Sequence, residues 1–228
     1  MLFFLHVCLN LVWAVFSSFF ILLFTAFAIG LFRLIVIAPR QTYPETLRDA
    51  SLLKKGDILL TGKQDIGYSW YIQISNLLTR KPKHRFWTHA AIYQGNGKVW
   101  EAQPAGVIER ELSDYFRGGF LIRAFRHKYI SDEKVFDQIL QFCAEKKGYS
   151  YGMKAVVFYT FSTFMPISFN WLFDNPALDA WLKLDKAYFC SELVVDAFCA
   201  SQYPVSPYDG WRVKPTDFIS NPLLAPVE

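Results

Sequence analysis

The stretch Tyr188-Phe189-Cys190-Ser191-Glu192-Leu193-Val194-Val195-Asp196-Ala197-Phe198 decides the fold, because it predicts a core-facing helix with a cysteine at its start. Its apolar side chains recur with the spacing of one helix face, at Phe189, Leu193, Val194, Ala197 and Phe198. Asp185 is the predicted N-cap, because short polar side chains accept hydrogen bonds from the first free N–H groups. Cys190 then lies in or near the first turn, where those N–H groups and the helix dipole stabilise a thiolate. A thiolate is the nucleophilic form of cysteine.

Cys190 also has a second interpretation, as a small core residue, since free cysteines are among the most buried residue types. A histidine and a carboxylate upstream bear on the choice. His89 lies on a predicted strand over 88–93 and Glu101 on a second over 99–103, joined at Gly95-Asn96-Gly97, which is a strong hairpin signal. An imidazole beside a thiolate can act as general base and then as general acid, and a carboxylate on its other nitrogen fixes its orientation.

The hairpin loop decides whether His89 and Glu101 share a face of the sheet. A two-residue Asn96-Gly97 turn would put Glu101 on the face opposite His89. A three-residue loop over 95–97, with a bulge at Gly97, sets Gln103 opposite His89 and Glu101 one diagonal step away on the same face. The chemistry requires the second register, which we therefore predict.

The other predicted elements follow from hydrophobic periodicity and turn signals. We expect a buried strand over 58–60, a helix over 68–79, a strand over 120–125, a helix from about 131 to 147 and a proline-rich coil from Tyr203. The helix over 131–147 places Cys143 on its apolar face, so we assign Cys143 to the core.

The amino-terminal stretch from Leu2 to Phe32 contains no Asp, Glu, Lys or Arg. It exceeds the ~20 apolar residues that cross a bilayer, so we predict a transmembrane anchor over 1–33, a juxtamembrane linker over 34–51 and a C-terminal domain over 52–228. A secretory signal is the alternative, with a small-x-small site at 26–28. The absence of a basic n-region and the length of the stretch favour a retained anchor.

The charges that flank this stretch predict its orientation. Basic residues follow it, at Arg33, Arg40, Arg48, Lys54 and Lys55. The positive-inside rule then predicts a single-pass membrane protein with its C-terminal domain on the cytoplasmic side. The four cysteines lack disulfide and metal-ligand spacing, so we predict neither a metal nor another cofactor.

Two further stretches bear on partners. The uncharged, aromatic stretch over 155–173 predicts either a buried helix with an aromatic loop or a surface that enters the bilayer interface. The basic cluster over 80–85 suits a solvated loop or an anionic lipid surface, and we do not expect nucleic acid as a partner.

Four motifs occur along the chain in a fixed order. They are Lys55-Gly56-Asp57-Ile58-Leu59-Leu60, Thr88-His89-Ala90-Ala91-Ile92-Tyr93, Val99-Trp100-Glu101-Ala102 and Tyr188-Phe189-Cys190-Ser191-Glu192-Leu193-Val194. Together they resemble the circularly permuted papain-like hydrolases of the NlpC type, in particular the YiiX/YebB-like amidases, in which the cysteine helix follows the histidine strand. The resemblance implies an α+β fold, with an antiparallel sheet packed against helices and the cysteine helix last.

The same resemblance implies roles for individual residues. Cys190 would be the nucleophile, His89 the base and Glu101 the third polar group, with Tyr188 and Gln103 as candidate substrate-binding residues. The implied function is a thiol hydrolase that forms a cysteine acyl-enzyme on an amide or peptide bond of a small molecule or peptide.

Two alternatives stay open. The lecithin–retinol acyltransferase-like enzymes share the permuted fold and act on lipid acyl groups, although this chain lacks their Asn-Cys-Glu-His-Phe pattern. The third possibility is an inactive binding module. A polar pocket with a fixed charge would favour an amide, whereas a long apolar groove would favour an acyl chain.

Overall fold

A six-stranded antiparallel sheet organises the computed structural model of this chain. The structure describes residues 2–32, 46–47, 49–63, 72–73, 76, 84–154, 156, 175, 180 and 186–228. The strands are β1 (Ile58–Gly62), β2 (His89–Gly95), β3 (Lys98–Gln103), β4 (Gly106–Glu111), β5 (Leu121–His127), the short β6 (Ser150–Tyr151) and β7 (Ala187–Tyr188), and β8 (Leu224–Val227). The order in the large sheet is β4-β3-β2-β1-β5-β8, and β6 pairs with β7 in parallel.

The helices are α1 (Leu2–Phe32), α2 (Leu112–Arg117), α3 (Glu133–Glu145) and α4 (Cys190–Ala200). Short 3-10 helices lie at Ala50–Leu52, Gly210–Arg212 and Pro215–Ser220. The α4 helix packs against α3, β2 and β3. The predicted mixed α+β fold, with an antiparallel sheet and helices, is confirmed.

Both faces of the sheet are covered. One face, with Ile58, Ala90 and Ile92, belongs to the same apolar cluster as the buried side of α4. The other face, with Leu59 and Ala91, packs with residues of α2. This arrangement explains why β1 begins with three apolar residues, Ile58-Leu59-Leu60, and is buried along its whole length, since neither of its faces meets water.

The β2–β3 hairpin has the predicted register, although the loop achieves it differently. Ala91 pairs with Glu101, and the register shifts by one residue between Tyr93 and Gly95. Asn96 and Gly97 form the turn, with φ of 53° and 75°. These positive φ values suit a two-residue hairpin turn, and the extra residue lies in a bulge of β2 rather than in the loop. The bulge returns Glu101 to the face of His89.

The C-terminal region is more ordered than the predicted coil. β8 pairs with β5 at the edge of the sheet, and Trp211 and Phe218 are both buried. Prolines are compatible with this structure because of where they lie. Pro215 begins a 3-10 helix, and Pro226 lies on an edge strand, where a missing N–H costs little.

The prediction of a membrane anchor is contradicted. Among the residues that the structure describes, no helix is both long and apolar enough to cross a membrane. The transmembrane assignment of 1–33, the single-pass location and the cytoplasmic orientation are therefore wrong. They rested on an uncharged, Leu- and Phe-rich stretch that is longer than the ~20 residues needed to cross a bilayer.

Two predicted segments fall mainly on residues that are not described. In the predicted helix over 68–79, the three described residues, Ile72, Gln73 and Asn76, are helical. In the stretch over 155–173, only Val156 is described, so both interpretations of that stretch lie outside the described residues.

Candidate active site

The α4 helix begins at Cys190, and Phe189 is its N-cap residue, with extended backbone angles of φ −100° and ψ 172°. The Glu192 carboxylate accepts a hydrogen bond from the Phe189 N–H at 3.2 Å, which closes the first turn. The predicted N-cap at Asp185 is wrong, because the helix starts later and its cap is a backbone N–H held by Glu192. The Ser191 hydroxyl donates to the Val213 carbonyl and anchors the helix start in the core.

Cys190 is buried, with 3% of its surface exposed, and is hydrogen-bonded to His89. The other side of the imidazole meets Glu101, with 2.6 Å between Nε2 and Oε2. Since Nε2 is occupied by Glu101, Nδ1 is the nitrogen that faces the sulfur. The structure therefore brings together the three residues that sequence analysis selected, Cys190, His89 and Glu101.

The protonation states of Cys190 and His89 are linked. Burial disfavours the thiolate, but the charge and hydrogen bond of His89, with the backbone N–H groups of Ala90 and Ser191, lower the pKa of Cys190 below its ordinary value. Burial also opposes the imidazolium, yet Cys190 and then Glu101 raise the pKa of His89 to about 10. Each charged partner therefore favours the charged form of the other, an arrangement that suits a thiolate–imidazolium pair.

Glu101 is kept ionised inside the protein, with 1% of its side chain exposed. Burial acts to raise the pKa of its carboxyl, but hydrogen bonds from His89 and Tyr115 and the charge of Arg110 outweigh burial and lower it. Tyr115 donates its hydroxyl to Oε2, the oxygen that also bonds His89. Arg110 Nη1 lies 3.5 Å from Oε1.

Sequence analysis missed Tyr115 and Arg110. The signal for Arg110 was the β3–β4 register, because Glu101 pairs with Ile108, and Arg110 is one diagonal step further on the same face. Tyr115 had no comparable signal. It lies on α2, whose packing on that face is a tertiary contact, and only 1% of its surface is exposed.

We predict that Tyr115→Phe lowers the alkylation rate of Cys190 at neutral pH roughly three- to ten-fold, the worth of one hydrogen bond. Without the hydroxyl the pKa of Glu101 rises, so Glu101 loses its charge at a higher pH. The acidic limb of the rate profile then moves to higher pH, because a neutral Glu101 no longer supports the imidazolium. The measurement is the rate of iodoacetamide labelling between pH 4 and pH 9.

Tyr93→Phe is the matched control for this variant. Tyr93 is another buried tyrosine of the same apolar cluster, and its hydroxyl accepts from the Gly97 N–H at 3.2 Å, away from Glu101. Tyr93→Phe should leave the acidic limb of the alkylation profile at the same pH. An equal shift in both variants would reduce Tyr115 to a packing residue.

A cleft of about 320 Å³ opens beside His89. We call it the His89 cleft, and its lining includes Lys63, Gln103, Arg110 and Phe120. Gln103, one of the two predicted substrate-binding residues, lines this cleft. Tyr188 is elsewhere, and its ring stacks on Tyr149 at 6.2 Å, so it does not line this cleft.

A smaller apolar pocket of about 40 Å³ adjoins Cys190. We call it the Cys190 pocket, and it is lined in part by Phe189, Val156, Val213 and Pro215. The two spaces share Ile72, Thr88 and Tyr151 in their walls. His89 thus lines the larger space and Cys190 the smaller one.

In the part of the chain that the structure describes, no group of three or more His, Cys, Asp or Glu side chains is arranged to hold a metal ion.

No protein-family model matches the chain, and no curated protein matches it. Among solved structures, the chain is similar to the crystal structure of the metalloprotein yiiX from Escherichia coli O157:H7, at 15% sequence identity and a TM-score of 0.47. The match covers 82% of this chain and 98% of that chain. This neighbour carries the name of the group that the four motifs resemble.

Proposed function

We propose that this chain is a cysteine hydrolase that cleaves an amide or peptide bond through an acyl-enzyme on Cys190. The observation that carries the proposal is the position of His89 between the Cys190 sulfur and the Glu101 carboxylate. A nucleophile, a base and an orienting group in hydrogen-bond contact are the parts that thiol acyl transfer needs. The order of the histidine strand before the cysteine helix supports a permuted papain-like domain of the NlpC type.

The first half of the proposed reaction forms the acyl-enzyme. The Cys190 thiolate attacks the carbonyl carbon, and the oxyanion forms beside the backbone N–H groups at the start of α4. The C–N bond then breaks, and the His89 imidazolium gives its proton to the departing nitrogen. An amine leaves, and a thioester joins the acyl group to Cys190.

The second half restores the enzyme. Water gives a proton to the neutral His89 as its oxygen attacks the thioester carbon. The C–S bond breaks, a carboxylic acid leaves, and the thiolate–imidazolium pair is re-formed. Glu101 stays ionised throughout, and its role is to hold Nε2 and stabilise the imidazolium.

The size of the Cys190 pocket favours an amide over a lipid acyl group. A volume of about 40 Å³ holds only a few atoms of an acyl group, whereas a long chain needs an extended apolar groove. The substrate class that fits is therefore a small molecule or peptide with a short side chain next to the scissile carbonyl. The inactive binding module has no specific observation in its favour.

The test is to trap the acyl group. The full chain is incubated separately with pooled short peptides and with phospholipid, quenched in acid and measured by intact mass. We expect an adduct on Cys190 from the peptide pool and none in Cys190→Ala. If only phospholipid gives an adduct, the substrate is a lipid acyl ester and the proposed amide substrate is rejected. Absence of any adduct would reject the hydrolase.

A further inference from the structure

We propose that Arg110 and Lys63 form a carboxylate-binding subsite in the His89 cleft, which receives an acidic group on the leaving amine of the substrate. The inference rests on the proposed hydrolase function and extends it to a substrate class. It is argued from the charges, the hydrogen-bond partners and the position of these two side chains.

Arg110 is under-used by its neighbours. Its guanidinium has five N–H donors in a planar fork. Nη1 reaches Glu101 Oε1 at 3.5 Å, and Nε lies 3.5 Å from Asp114 Oδ2, so both contacts are long. Asp114 is already bonded by Arg117 at 2.7 Å. Arg110 lines the His89 cleft with 27% of its side chain exposed, and its guanidinium also lies 4.8 Å from the centre of the Tyr115 ring, so the N–H donors that Glu101 and Asp114 do not use can face a ligand.

Lys63 supplies a second cation. It follows directly after β1 and lines the same cleft, with its ammonium 4.6 Å from the centre of the Phe120 ring. Within the described residues, the Phe120 ring is the one group that contacts the Lys63 ammonium. An aromatic ring satisfies little of the hydrogen-bonding capacity of an ammonium. The two cations thus face one space.

The balance of charge in the cleft decides the sign of the ligand. Glu101 is the only carboxylate among the described residues of its lining, and His89, Tyr115 and Arg110 already bond it. A positively charged substrate group would be repelled by Lys63 and Arg110, and the cleft has no described carboxylate left to pair with it. A carboxylate suits the site, because Arg and Lys bind it through charge-assisted hydrogen bonds.

The position of the cleft assigns the carboxylate to the leaving group. His89 must protonate the departing nitrogen, so that nitrogen lies on the His89 side of the scissile carbon. Arg110 and His89 bind the two oxygens of the same carboxylate, Glu101, which puts the guanidinium next to the imidazole. The acyl part of the substrate then occupies the Cys190 pocket. The inferred substrate class is an amide whose amine is acidic, such as an amino acid or an acidic peptide.

The test compares glutarate, a dicarboxylate, with glutaramide, its neutral isostere, and pentane-1,5-diamine, a dication, at matched ionic strength. Titration calorimetry measures their binding to the full chain, and protection of Cys190 from iodoacetamide shows whether they occupy the site. We expect glutarate to bind and protect. We expect Lys63→Met and Arg110→Met each to weaken glutarate binding roughly five-fold or more, the worth of a partly exposed charged hydrogen bond.

Lys134→Met is the control, because Lys134 lies on α3, outside the lining of the cleft. It should leave glutarate binding unchanged. Lys63 does not contact Glu101, so its variant keeps the inference falsifiable if Arg110→Met fails to fold. Equal binding of glutaramide or the diamine, or unchanged binding in Lys63→Met, would overturn the subsite. Tighter binding of glycerol 3-phosphate than of glutarate would overturn the assignment to a carboxylate.

Calorimetry also separates this inference from the proposed function, because it does not depend on a reactive thiol. If glutarate binds but Cys190 proves unreactive, the carboxylate subsite stands and the proposed hydrolase function is rejected. If Cys190 is reactive but glutarate does not protect it, the hydrolase function stands and the subsite is rejected.

Discussion

Replacing His89 by alanine is expected to slow the acylation of Cys190 by on the order of a thousand-fold or more, the scale seen when a general base is removed. The loss has two physical sources. His89 is the charge that lowers the pKa of the Cys190 thiol, and among the described residues it is the one side chain hydrogen-bonded to the sulfur, from where it would protonate the leaving nitrogen. Single-turnover kinetics with intact-mass detection of the acyl-enzyme measures the effect.

Glu101→Gln is the matched variant for that experiment. An amide oxygen can still accept the hydrogen bond from the imidazole, but it carries no charge to stabilise the imidazolium. We therefore expect acylation to be weakened, by roughly ten-fold for one charge-assisted hydrogen bond, rather than abolished. Equal losses in His89→Ala and Glu101→Gln would give Glu101 a role beyond orientation. Full activity in both would exclude these residues from the chemistry.

Cys190 is expected to be alkylated at least a thousand-fold faster than Cys143 at pH 7. Burial raises the pKa of Cys143 to about 12, so its thiolate is scarce at neutral pH, whereas the pKa of Cys190 is lowered. The direction with pH follows from these shifts. Labelling of Cys190 reaches its plateau below the pH at which an ordinary thiol does, and labelling of Cys143 still rises toward pH 12. Peptide mapping after timed iodoacetamide exposure measures both rates.

The pH profile of hydrolysis should also have an alkaline limb, on which activity falls as pH rises. The step that releases the amine needs protonated His89, whose pKa is raised to about 10. Activity is then retained as pH rises to about 9 and falls as it passes through 10, whereas alkylation does not fall.

For the alkylation experiment, faster labelling of Cys143 or of the exposed Cys199 in the folded chain would show that Cys190 is not the activated thiol.

The hairpin shows how far local sequence determines the site. Gly95, Asn96 and Gly97 are residues that adopt positive φ readily, and all three do so here. Alternation along each strand then places the side chains, so the pairing of His89 with Glu101 was predictable once the chemistry selected a register. The bulge position was not, since a residue can be inserted on either side of the turn with the same outcome for Glu101.

The residues that complete the site around His89 and Glu101 are placed there by contacts between distant segments of the chain. Tyr115 is bonded to Glu101 because α2 packs over that face of the sheet, and α2 itself carries no motif. The start of α4 moved from the expected Asp185 to Phe189 because the Glu192 side chain reaches back to a backbone N–H. Propensities for N-cap residues do not include such a contact.

The sequence by itself determined the helix that bears Cys190, the strands that bear His89 and Glu101, and their order along the chain, because these follow from local periodicity and turn chemistry. Only the tertiary structure decided that Cys190 and His89 meet, that Tyr115 and Arg110 hold Glu101, and that Lys63 and Arg110 face one cleft. It also overturned the membrane anchor inferred from the uncharged amino-terminal stretch. The physical reason is that the pKa of a thiol and the charge of a cleft are set by groups brought together through space, and the spacing of residues along one segment does not contain that information.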